Sequence, residues 1–177
     1  MTKEDVKKLL ATITAFYPNF KLENPAIALN GWLAILEEYE TDVISKSLKA
    51  YVTGGHEYAP NPGQLIQLAF DLIHGDEYPD EGAAWDMYYK ALSDSTWHAK
   101  ESFDKLPPIV QKVAGSPSVL HAIATDNSFN ASNVRRDFSI SYRAAVMRDK
   151  EERTTPSDVK AFISEQIIAK LEDKGNV

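Results

Sequence analysis

Start and stop signals for helices recur along this whole chain, and they constrain its fold more than any other feature. Thr2 is placed to cap a first helix, with Asp5 three residues on completing an approximate capping box. Val6, Leu9, Leu10, Ile13, Phe16 and Tyr17 then recur at helical spacing until Pro18 stops the run. Asn24-Pro25 restarts it, a capping amide followed by proline at the first helical position. Leu29, Trp32, Leu33, Leu36 and Tyr39 form the apolar face of this second helix. Thr41 is expected to cap a third, with Asp42 in its first turn, where the helix dipole favours negative charge. Ile44, Ser47, Leu48, Tyr51 and Val52 are its buried stripe, and Gly54-Gly55 ends it. Asn61-Pro62-Gly63-Gln64 opens a fourth helix, with cap, proline and a back-reaching glutamine in order. Leu65, Ile66, Leu68, Ala69, Leu72 and Ile73 complete it, and Gly75 closes it.

The acidic, proline-containing run Asp76-Glu77-Tyr78-Pro79-Asp80 is the best linker candidate. Beyond it, Ala84, Trp85, Tyr88, Tyr89 and Leu92 share one helical face. Ser93-Asp94-Ser95-Thr96 reads as an irregular stretch leading to Trp97, and Leu106-Pro107-Pro108 breaks the chain. Residues 109–114 form a short helix ended by Gly115, and Ser116-Pro117 starts another that runs to Ala124. Val134, Phe138 and Tyr142 stack at four-residue intervals on a long helix. Thr155-Pro156-Ser157-Asp158 starts the last helix, expected to bury Val159, Phe162, Ile163, Ile167 and Leu171 before residues 173–177 fray. No stretch alternates with the period of a strand. The expectation is an all-α chain of two small units: four helices over residues 1–75, a linker at 76–80, and four or five helices within 81–177.

Composition narrows the partners. Hydrophobic residues make up 44% and charged residues 25%, the balance of a globular domain. No apolar run approaches the roughly 18 residues of a membrane span, so no membrane role is expected. The polar start Met1-Thr2-Lys3-Glu4-Asp5 leads straight into a helical pattern and is unlike a secretory signal. Cysteine is absent, which removes disulfides and thiolate metal ligands and fits a reducing compartment. A net charge of −7 argues against coating duplex DNA, because such binding draws on Lys and Arg neutralising phosphates. A protein partner is the better default.

No chemistry-bearing motif emerges. A phosphate loop needs a glycine followed by Lys and then Ser or Thr, and none of the eight glycines precedes a Lys. His56, His74, His98 and His121 show no spacing that puts two ligands on one helical turn, and no Cys could complete a zinc site. Neither a nucleophile motif nor a cofactor fingerprint is found, so catalytic, cofactor-binding and metal residues are all expected to be absent.

The candidate residues are therefore those suited to contact. All five arginines fall in one window, Arg135, Arg136, Arg143, Arg148 and Arg153, whereas residues 1–75 hold six Lys, nine acidic residues and no Arg. A guanidinium suits interfaces, but such a run is also what a solvated helix face looks like. Arg135 and Arg143 are expected to flank the Val134–Phe138–Tyr142 stripe, with Arg136 turned away. Trp97 is a candidate for exposure and partner contact. Glu37, Glu38 and Glu40 gather at the end of the second helix, as a solvated face or as an acidic docking patch.

Tyr17-Pro18-Asn19-Phe20, Trp32, Leu36, Leu48, Tyr51 and Tyr58-Ala59-Pro60-Asn61-Pro62 together resemble the phage-encoded loader and inhibitor of the replicative helicase. The likeness continues through Phe103-Asp104-Lys105-Leu106-Pro107-Pro108, residues 113–115, Phe138, Tyr142 and Thr155-Pro156. The resemblance implies a non-ATPase adaptor in the cytoplasm of a bacterial host. Such an adaptor binds the hexameric helicase, inhibits it while bound, and loads it at an origin through a phage initiator protein. It also implies that the helicase contact lies in the C-terminal part. That part is flexible in the family but reads here as ordered helices. Two alternatives stand beside it: a nucleic-acid-binding replication or regulatory protein using the Arg window, and a pure inhibitor of host replication. Asp137, Asp149, Glu151 and Glu152 interrupt the basic face the first would need.

Overall fold

The computed structural model describes residues 1–175, with side chains through Ile168. It is all-α, with no strand among the described residues. The chain divides into two compact units, residues Met1–Ile73 with Thr154–Val177, and residues His74–Arg153.

In the first unit, α1 (Lys3–Phe16) begins with the expected capping box: Asp5 N–H donates to Thr2 Oγ1 at 3.3 Å and Thr2 N–H to the Asp5 carboxylate at 3.0 Å. It buries Val6, Leu9, Leu10 and Ile13, one face at helical spacing. In α2 (Pro25–Leu36), Asn24 Oδ1 accepts from Ile27 N–H at 3.1 Å. The third helix, α3 (Thr41–Thr53), differs from expectation by one residue. Glu40 is the extended residue before it and makes no side-chain cap. Thr41 is already helical, and its hydroxyl donates to the Asp5 carboxylate at 3.0 Å, a bond to another helix that competes with capping its own. In α4 (Pro62–His74), Asn61 and Gln64 exchange reciprocal bonds of 2.9 Å. The core joins Leu9, Ile13, Leu36, Ile44, Leu48, Tyr51, Leu65 and Ile66, with Trp32 packed partly buried against it.

The last helix, α9 (Ser157–Gly175), clusters with this first unit, so the second unit ends at Arg153 and not at the end of the chain. Its expected buried face is a correction. Val159, Phe162, Ile163 and Ile167 are 41 to 60% exposed. Periodicity identifies an apolar stripe but cannot say that a neighbour within the same chain covers it. Leu171 and residues 173–177 lie outside the residues whose side chains are described.

In the second unit, residues 76–80 are not a free linker. Gly75–Glu77 form a turn of 3-10 helix, Arg153 donates to Glu77 at 2.6 Å, Tyr78 OH donates to Asp149 at 2.5 Å, and Tyr142 OH donates to the Pro79 carbonyl. Asp80 then caps α5 (Glu81–Asp104) through Ala83 N–H at 2.9 Å. Residues 93–96, expected to be irregular, are helical. Ser93 and Ser95 hydroxyls donate to the Tyr89 and Leu92 carbonyls of the preceding turn, which satisfies them without leaving the helix. The break comes at His98, with φ −132° and ψ 40°. Two short helices follow, α6 (Pro108–Ala114) and α7 (Pro117–Ala124), separated by Gly115 at φ 79°, where a side chain would be strained. The unit closes with α8 (Ala131–Thr154).

Aromatic rings build this second core. Phe138 stacks on Tyr88 at 4.6 Å and on Tyr142 at 5.6 Å, and tilts against Trp85 at 5.7 Å. Leu92, Ile109, Val110 and Leu120 surround them. Truncating the central ring leaves a void between three others. Phe138→Ala is therefore expected to cost about 3–5 kcal/mol by chemical denaturation, whereas Trp97→Ala, at a residue 86% exposed, should stay within about 0.5 kcal/mol.

The start of the unit is fastened to its end by charge. Arg153, and then His74, hold the Glu77 carboxyl down at about 2, below its ordinary 4.5. Lys112 and Tyr78 likewise lower Asp149. A depressed carboxyl stabilises the fold above its unfolded value, and that contribution disappears as pH falls through the folded value. The denaturation midpoint of the natural protein should therefore drop between about pH 4.5 and about pH 2 more steeply than that of Glu77→Gln. Parallel curves for the two proteins would mean that the pair contributes nothing.

Candidate partner-binding surfaces

Unit one carries an aromatic cleft that the sequence did not reveal as a site. Tyr51, buried in α3, stacks on His56 at 4.0 Å, and its hydroxyl donates to the Tyr58 carbonyl at 3.1 Å. Tyr17 meets Tyr51 edge-on at 6.4 Å. These contacts fix the loop after α3, which turns at Gly55 with φ 72°. Phe16, Tyr17, Phe20, His56, Glu57 and Tyr58 then line a space of about 470 Å³, with Tyr58 77% exposed at its rim. No Lys or Arg lines it, so it offers aromatic faces but no phosphate contacts. Its two halves, residues 16–20 and 56–59, are separate motifs in sequence, and only the packing of α1 on α3 brings them together.

The second surface is α9. At 3.6 residues per turn, Val159, Phe162, Ile163 and Ile167 span an arc of about 140°, and all four are exposed. That is the width of stripe an amphipathic helix ordinarily turns toward a core. Lys160 and Glu165 fall outside the arc.

The arginines of α8 are largely engaged. Arg135 sits 5.8 Å over the Trp85 ring, at the edge of the aromatic core. Arg136 pairs with Asp137 at 3.2 Å. Arg143 lies 3.5 Å from the Glu81 carboxylate and donates to the Ser139 carbonyl at 3.3 Å. Trp97 stands on α5, one residue before the break at His98.

Glu37, Glu38 and Glu40 gather at the turn between α2 and α3, with Glu37 and Glu40 solvent-facing. Glu38 is already occupied. One of its oxygens accepts from Ser157 N–H at 3.2 Å and the other from the Ser157 hydroxyl. Those two bonds hold its carboxyl below the usual range.

Among the described residues no group of three or more His, Asp or Glu side chains is placed to hold a metal ion, and no helix is long and apolar enough to cross a membrane. What the surfaces offer is contact rather than chemistry.

Residues 1–66 match the family model for the N-terminal domain of gp39P. No curated protein and no solved structure matches the chain. The matched stretch takes in α1, α2, α3 and the first turn of α4, with most of the first core and both halves of the aromatic cleft. The chain thus carries, over those residues, the N-terminal domain of the phage helicase loader and inhibitor family.

Proposed function

We propose that this chain is a non-catalytic adaptor of phage DNA replication. It binds the replicative hexameric helicase in the host cytoplasm, inhibits it while bound, and loads it at the origin through the phage initiator protein. The observation that carries the reading is the loader-family N-terminal domain over residues 1–66. The net charge of −7 favours a protein partner over direct contact with nucleic acid.

Two surfaces compete for the helicase contact, and magnitudes decide between them. Arg136 and Arg143 already face carboxylates, and exchanging one exposed ion pair for another yields about 0–1 kcal/mol. Each apolar side chain of α9 that leaves water on binding contributes about 1.5–3 kcal/mol when fully buried. The apolar face of α9 is therefore the principal contact. Arg135, Arg136, Arg143 and Trp97 on the second unit form the secondary one.

Calorimetry against purified helicase tests this. Phe162→Asp with Ile163→Asp should weaken binding by about 100-fold, as loss of interface anchors does. Arg135→Glu with Arg143→Glu should change it by no more than about threefold. The reverse pattern would move the contact to α8. No binding by the natural protein would end the adaptor reading. The isolated protein should also show no ATP turnover after rigorous removal of contaminating ATPases.

A further inference from the structure

The first amides of any helix lack intrahelical acceptors, and most helices here satisfy them with a side chain from the preceding residue. Helix α9 cannot. The residue before it is Pro156, which has no side-chain acceptor. Val159 N–H is taken by Asp158 at 2.8 Å, and Lys160 N–H by the Pro156 carbonyl at 3.1 Å. Ser157 N–H goes to Glu38, 119 residues away. The Ser157 hydroxyl donates to the same carboxylate. Beside it, Tyr39 OH donates to the Thr154 carbonyl at 3.2 Å, just before the helix begins.

We infer that Glu38 and Tyr39 form a seat for α9, so that the loader-family domain itself presents the proposed helicase-binding helix. Beyond this seat, the described side chains of α9 are exposed. The seat therefore supplies the start and direction of the helix and leaves the apolar face free. A carboxylate suits the position, because the N-terminal end of a helix carries partial positive charge. Glu38 is a positioning residue: it acts on the helicase through α9 and does not touch the helicase. The acidic turn thus serves as an internal cap, and Glu37 and Glu40, on the same turn, have no part in it. This inference rests on the adaptor reading for its functional half only.

Amide exchange on the full chain tests the structural half. In Glu38→Ala, amides 157–160 should exchange about fivefold faster, the usual effect of losing a helix cap, while α3 amides keep their rates. Glu37→Ala is the control and should change neither. Ser157→Ala should produce a smaller acceleration, because its backbone N–H can still reach Glu38. Combined with Glu38→Ala it should add nothing. Helicase affinity, read on the same proteins, tests the functional half. It should fall several-fold in Glu38→Ala, recover partly in Glu38→Gln, and stay unchanged in Glu37→Ala. Unchanged exchange in Glu38→Ala would overturn the seat. Faster exchange with full helicase affinity would overturn its role in presentation. Absence of helicase binding by the natural protein would refute the adaptor reading, while the exchange data would still decide the seat.

Discussion

Every helix must find acceptors for the amides of its first turn, and the way this chain does so organises much of the rest. Thr2, Asn24, Asn61, Asp80 and Ser116 each bond the amide of the residue three positions on. These bonds are local, fix where each helix starts, and so set which side chains face the two cores. Helix α9 meets the same requirement with a carboxylate from the α2–α3 turn. A rule of local geometry thereby becomes a long-range connection, and that connection links the family domain to the helix with the most exposed apolar face.

The two units rest on different interactions. The first is a largely aliphatic core with an aromatic cleft at one edge. The second is a stack of rings, closed where its first and last residues meet in the Glu77–Arg153 pair. Neither unit presents a combination of nucleophile, base and oxyanion donors among the described residues. What both present is surface, which is what a loader needs.

Legibility from sequence followed the range of the interaction. The caps of α1, α2 and α4 span three residues, and their sequence signatures placed those helices correctly. Trp85, Phe138 and Tyr142 were readable as core because one helical period sets their faces. The failures involve distance. Residues 76–80 look like a linker because Glu77 meets Arg153 across 76 positions, which no local pattern encodes. Four apolar residues of α9 look like core because composition cannot distinguish a face covered by its own chain from one covered by a partner. Glu38 looks like part of a docking patch because its partner, Ser157, is equally remote. Thr41 and residues 93–96 were misread for a smaller reason: a hydroxyl can cap, bridge or fold back on its own helix, and spacing does not say which.

The central claim is that a chain without catalytic residues acts by holding a helicase. The most direct measurement is the rate at which purified replicative hexameric helicase hydrolyses ATP on single-stranded DNA as the natural protein is titrated in. The account predicts a saturable fall in turnover that ends at a fixed ratio of protein to helicase ring. A rate that stays constant through a large excess of folded protein would contradict it.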